Sequence, residues 1–122
     1  MVNSILIVHN NMSFRSNIRT TLREASFKGE IYNLNDATKL PEFLKNEPVD
    51  LVILDNDIPM SILTGLDIVD DLKEKGNNYT KFIILSSDTN HTTVQKAKKL
   101  QVSGFLVKPF SVSSIVKIVN KL

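Results

Sequence analysis

Four short runs of uninterrupted apolar residues constrain this chain most: residues 5–8, 51–54, 82–85 and 105–107. None alternates apolar with polar, and all are rich in branched side chains. A strand with one wet face alternates; a strand covered on both faces reads as a continuous run. Residues 31–34 form a fifth, more polar run, as an edge strand would.

Helical stripes lie between the runs. Phe14, Ile18, Leu22 and Ala25 share one face, as do Ala37, Leu40, Phe43 and Leu44. Pro41 places the start of the second helix near Lys39 or Leu40, because proline is tolerated only in a first turn. Leu66, Val69 and Leu72 form a third stripe, closed by Gly76. Val94, Ala97 and Leu100 form a fourth, and Ile115, Ile118, Val119 and Leu122 a fifth. Turn signals at Lys28-Gly29, Glu47-Pro48 and Gly76-Asn77-Asn78 separate the elements. The chain therefore repeats strand–helix five times. That pattern predicts a doubly wound α/β domain, a parallel sheet between two layers of helices, spanning residues 1–122 as one domain.

Composition excludes several classes. With 122 residues, 42% hydrophobic and 23% charged, the chain is long enough for one core and ordinary for a soluble domain. It has no cysteine, hence no disulfide framework, thiolate zinc site or cysteine nucleophile. That usage fits a cytoplasmic protein. No apolar run approaches the ~20 residues of a membrane span, and there is no signal-peptide pattern. A net charge of +2, without a dense basic stripe, argues against direct nucleic-acid binding.

Ligand sites in such sheets form beyond the carboxyl ends of the strands. Those positions hold His9 and Asn10, then Asp55, Asn56 and Asp57, then Ser86 and Ser87, then Lys108 and Pro109. A carboxylate, a hydroxyl and an ammonium would converge there. Asp55 could accept a phosphoryl group as an acyl phosphate, Lys108 could balance its charge, and Ser86 could donate to the phosphoryl oxygens.

The stretches "ILIV", "DLVILDNDIP", "TGLDIVDDLK", "FIILSS" and "GFLVKPF" together cover nearly the whole chain. In them the sequence resembles a response-regulator receiver domain of the CheY-like type, used in two-component signalling. The resemblance implies a flavodoxin-like three-layer fold with strand order 2-1-3-4-5. It places Asp55 at the phospho-acceptor position, Ser86 at the switch hydroxyl, Phe105 at the switch aromatic and Lys108 at the conserved-type lysine, with a cis bond to Pro109. Its implied partners are a sensor histidine kinase or phosphotransfer protein. Downstream it implies a protein, an output domain or a second copy, met through the fourth helix, fifth strand and fifth helix. It implies a signalling domain, with chemistry limited to self-phosphorylation and dephosphorylation at Asp55. The chain reads equally as a stand-alone receiver or as part of a longer regulator.

Two features depart from the family. Receivers place an acidic pair after the first strand to hold magnesium; here His9 and Asn10 stand there. The remaining magnesium ligands would be Asp55, the Asn10 carbonyl and Asp57, with Asp57 expected to offer its backbone oxygen rather than its carboxylate. Magnesium binding is therefore expected to be weakened or absent, since magnesium favours carboxylate oxygens and histidine is a poor ligand for it. The alternative to a phosphorylated receiver is then a pseudo-receiver, a protein-interaction module independent of phosphorylation. The second departure is "PMSILTG", which delays the loop glycine to Gly65 and puts Ile62 and Leu63 at an apolar tip. These two residues either pack on the third helix or meet a partner.

Each residue also has a plainer reading. His9 reads most simply as a neutral polar residue at a strand end rather than a metal ligand or pH switch. Asn56, Ser87 and Pro109 line the pocket, Lys108 forms a structural ion pair with Asp55, and Ser86 bonds to nearby backbone. Phe105 packs on an edge strand, and Lys96, Lys98 and Lys99 form a solvated helix face.

Overall fold

The computed structural model describes residues 1–122. Strands and helices alternate as β1 (Ser4–Val8), α1 (Met12–Glu24), β2 (Glu30–Leu34), a 3-10 turn (Ala37–Lys39), α2 (Leu40–Asn46), β3 (Leu51–Asp55), α3 (Gly65–Glu74), β4 (Lys81–Ser86), α4 (His91–Lys99), β5 (Gly104–Val107) and α5 (Val112–Lys121). The five strands form one parallel sheet in the order β2-β1-β3-β4-β5. Both the fold class and the strand order expected from the sequence are present.

The continuous apolar runs have their physical cause in the two faces of the sheet. Leu6, Val8, Val52, Leu54, Phe82 and Ile84 pack with Leu40, Leu44, Leu66, Val69 and Ala97, from α2, α3 and α4. Their neighbours in sequence, Ile5, Ile7, Leu51, Ile53, Ile83 and Leu85, pack with Ile18, Leu22, Ile115 and Val119, from α1 and α5. Burying one such branched side chain is worth about 1.5–3 kcal/mol, so the strands' hydrophobic content fixes the three layers. The second helix starts at Leu40 with Pro41 in its first turn, as the proline requires. Ala25 departs from the expected stripe: it caps α1 and is exposed, because the helix has already ended at Glu24.

The register aligns the strand ends. Val8 lies beside Leu54, Asp55 beside Leu85, and Ser86 beside Val107. Backbone bonds carry the alignment past the strands: His9 N–H donates to Leu34 O at 3.1 Å, Asn56 N–H to Leu85 O at 2.7 Å, and Lys108 N–H to Ser86 O at 2.9 Å. The start of α3 is pressed against the end of β3. A Cβ at Gly65 would lie 2.7 Å from Asp55 O and 3.1 Å from Asn56 Cα, so only glycine admits this approach.

Candidate functional site

His9, Asp55, Asp57 and Lys108 form one hydrogen-bonded cluster at the carboxyl end of the sheet. The Lys108 ammonium donates to both Asp55 oxygens, at 2.8 and 3.0 Å, and to Asp57 Oδ2 at 3.0 Å. Asp57 N–H donates to Asp55 Oδ1 at 2.9 Å. His9 Nε2 lies 2.9 Å from Asp55 Oδ2. The Asp55 side chain is only 10% exposed and keeps no oxygen without a donor.

The turn after β1 sets the histidine. Asn11 caps α1, its Oδ1 accepting from Phe14 N–H at 2.9 Å. In that turn Asn11 N–H donates to His9 Nδ1 at 2.9 Å. A neutral imidazole has one donor and one acceptor nitrogen, so the network assigns the ring proton to Nε2, which donates to Asp55. Arg15 donates to the His9 carbonyl oxygen. The Phe14 ring lies over the imidazole, centroids 4.3 Å apart, and Phe110 meets Phe14 edge-on at 6.2 Å.

These contacts decide the protonation of the cluster. Burial opposes the charge on Asp55, but hydrogen bonds from His9, Lys108 and Asp57 N–H, with the charge of Lys108, outweigh it. The carboxyl is held below its ordinary range. Burial likewise opposes the charge on Lys108, and its bonds to Asp55 and Asp57 prevail, holding the ammonium above its ordinary range.

Several residues sit where the strand ends were expected to bring them, and others do different things there. Asp57 is a correction: its carboxylate turns inward, accepting from Lys108 and from Ser87 N–H and Oγ at 3.1 and 2.9 Å. The ammonium and Ser87 share its Oδ2. Asn56 is buried and spends its side chain on α3, accepting from Leu66 N–H at 2.9 Å. Ser86 is fully buried; its hydroxyl donates to Asp88 O at 3.1 Å and accepts from Asp88 N–H at 2.9 Å. Phe105 is half-buried against the α2–α3–α4 side of the core. Asn10 is exposed at the cleft, and the Lys108–Pro109 bond is cis. His9, read as a plain polar residue at a strand end, is bonded to the aspartate.

A cleft of about 380 Å³ opens over the cluster. Asn35, Asp36 and Lys39 line it alongside His9, Asn10, Asp55 and Asp57, and the sequence reading missed all three. The signal was available for Asn35 and Asp36, which directly follow the edge strand. In the sequence Phe14 is legible only as an apolar position of a helical stripe, and Phe110 only as the last residue of "GFLVKPF". Two further findings lie outside the cleft. Lys96 is no free member of a solvated face, because its ammonium bonds Asp67 across α3 and α4. Ile62 and Leu63 do not pack on α3: they are 99% and 52% exposed, beside an equally exposed Met60.

With this geometry in place, the comparisons with known proteins fall on one family. Residues 5–120 match the response regulator receiver domain. The chain is 28% identical over 120 residues to chemotaxis protein CheY of Thermotoga maritima, covering 97% of this chain and 95% of that protein. It is 27% identical over 114 residues to the transcriptional regulatory protein PdtaR of Mycobacterium tuberculosis, spanning 92% of this chain but only 52% of that regulator. The solved receiver domain of the Francisella response regulator 1452 superposes with a TM-score of 0.83 at 20% identity, covering 98% of this chain and 94% of that one. The last likeness shows the fold alone; the family match shows membership.

The chain belongs to the response regulator receiver family. It is a receiver domain of two-component signalling. Receiver domains interact with histidine kinases or phosphotransfer proteins and with output domains, and they usually bind magnesium. No helix here is long and apolar enough to cross a membrane.

Proposed function

We propose that this receiver acts by protein association, with Asp55 at the family's phospho-acceptor position but held in a permanent internal network. The observation that carries this reading is the saturation of Asp55: Lys108 takes both oxygens, and His9 Nε2 reaches Oδ2 at 2.9 Å. The donor set does not fit magnesium. An octahedral oxygen shell at about 2.0–2.1 Å needs open carboxylate oxygens. Both oxygens of Asp55 and Oδ2 of Asp57 already face an ammonium, an imidazole N–H, a backbone N–H or Ser87, which leaves Asp57 Oδ1 as the one carboxylate oxygen of the cluster without a donor. Asn10 offers one neutral carbonyl in place of an acid. The output surface is the face formed by α4, β5 and α5, where Val107 is 42% exposed. Its partners are a downstream protein, an output domain or a second copy. The domain works in the cytoplasm, spans residues 1–122 and does not bind nucleic acid itself.

The experiment is incubation with a small acyl phosphate and magnesium, followed by intact-mass and peptide mass spectrometry. The unmodified mass is expected. Near-complete modification at Asp55 would overturn the reading in favour of a phosphorylated receiver. One observation favours that second reading: Asp55 is held ionised beside Lys108, as a nucleophilic carboxylate requires. In it, an Asp55 oxygen attacks the phosphorus of a partner's phosphohistidine, the P–N bond breaks, and Ser86 and Phe105 then rearrange.

A further inference from the structure

We propose that His9 is a positioning residue that closes Asp55 to divalent cations, and that the imidazole ring, rather than the missing acid at position 10, is what excludes them. This deepens the association reading above and rests on it.

The inference starts from which lone pairs are free. Asn11 N–H points at His9 Nδ1 at 2.9 Å, so Nδ1 is committed as an acceptor. Nε2 then carries the proton and faces Asp55 Oδ2. A nitrogen that carries a proton has no lone pair to offer a metal. Moving the proton to Nδ1 would set it against Asn11 N–H and leave Nε2 and Oδ2 facing each other without a hydrogen. Both bonds would be lost together.

The ring is also held mechanically. Asn11 is fixed as the cap of α1, Arg15 grips the His9 carbonyl, and Phe14 lies over the ring with Phe110 behind it. The His9 side chain is 14% exposed. For a cation to reach Asp55, the imidazole must leave a site secured on the backbone and ring sides. The groups facing it are Asp55, Asn11 and Arg15, with Lys108 on the far side of the same carboxylate. Asn10, by contrast, is exposed and lies outside this lock. An acid placed there would meet a carboxylate still covered by the ring.

Two measurements test this. Long-range proton–nitrogen spectra of the folded protein read the tautomer directly; His91 is the only other histidine, and H91Q assigns the signals. A protonated Nε2 and an unprotonated Nδ1 are expected for His9; a proton on Nδ1 overturns the proposal. Magnesium titrations followed by thermal melting then compare His9→Asp, Asn10→Asp and His9→Gln. His9→Asp is expected to gain a magnesium-dependent rise in Tm of about 5 °C when the ion is near ten times its Kd. Asn10→Asp is expected to stay indifferent, and so is His9→Gln, whose amide still donates. A response in Asn10→Asp without one in His9→Asp overturns the proposal. If His9→Asp does not fold, His9→Ala reads the same outcome. Phosphorylation of the wild-type protein would sink the association reading while leaving the tautomer result to stand or fall by itself.

Discussion

Two of the molecule's aspartate–lysine pairs are built from the same groups in different surroundings. Asp55 and Lys108 meet at the end of the sheet, while Asp67 and Lys96 bridge α3 and α4. The Asp55 side chain is 10% exposed and receives an ammonium, an imidazole and a backbone N–H. Asp67 is 32% exposed and faces a lysine 34% exposed. Both carboxyls are held below their ordinary range. Burial opposes the shift most strongly at Asp55, whereas the Lys96 bond leads it at Asp67. A lowered pKa therefore does not measure what a pair is worth. In the first pair, losing one member strands a charge in protein; in the second, water takes up the slack.

The largest expected effect follows directly. Lys108→Met leaves Asp55 and Asp57 without their shared cation. It should cost about 3 kcal/mol, the low end for a broken buried pair, because Lys108 keeps 30% exposure. Urea unfolding measures it. A loss below about 1 kcal/mol would place Asp55 in the same class as Asp67 and end the comparison. Adding Asp55→Asn to Lys108→Met removes most of the stranded charge, so the double variant should lose less than the sum, with a coupling of about 0.5–3 kcal/mol.

Acid titration separates the pairs next. The folded pKa of Asp55 is lowered, so its contribution is fully present above the unfolded value of about 3.9 and fades as pH falls through the folded value. Lys108 has the opposite sign. Its contribution is present below its ordinary value and is lost only as pH rises through the raised folded one. The pair thus gives a plateau across neutral pH. Asp55→Asn should flatten the acid edge of the stability curve, and its deficit against wild type should shrink below about pH 4. An Asp55→Asn curve parallel to wild type through the acid range contradicts this assignment.

The same contrast marks what the sequence can disclose. The strands were legible because a buried parallel strand has no polar position to interrupt it, and strand ends then locate Asp55, Ser86 and Lys108 in the sequence itself. Side-chain direction was not legible. The Asp57 carboxylate turns inward because of Lys108, 51 residues away, and Ser87, 30 residues away. The His9 proton is placed by a backbone N–H two residues on, which depends on where α1 begins. Lys96 looked solvated because its partner lies 29 residues earlier on another helix, and only the packing of α3 against α4 brings them together. Ile62 and Leu63 are apolar by sequence, yet their loop carries them past α3 into solvent.

The smallest effect is the most discriminating. Lys96→Ala removes a pair in which both side chains are about one-third exposed, so it should cost roughly 0–1 kcal/mol, and less in high salt, where surface charges are screened. Asp67→Ala should cost more than Lys96→Ala, because Asp67 has a second task. Its Oδ2 accepts from Thr64 N–H at 2.9 Å while Thr64 Oγ1 accepts from Asp67 N–H at 3.2 Å, a reciprocal cap on α3. Loss of a cap costs about 0.5–2 kcal/mol and does not depend strongly on salt. Measuring both variants at low and high salt divides Asp67 into its two roles. If Lys96→Ala proved as costly as Lys108→Met and insensitive to salt, exposure would not be what distinguishes the pairs. The α3–α4 bridge would then be a structural anchor of the same rank as the cluster at Asp55.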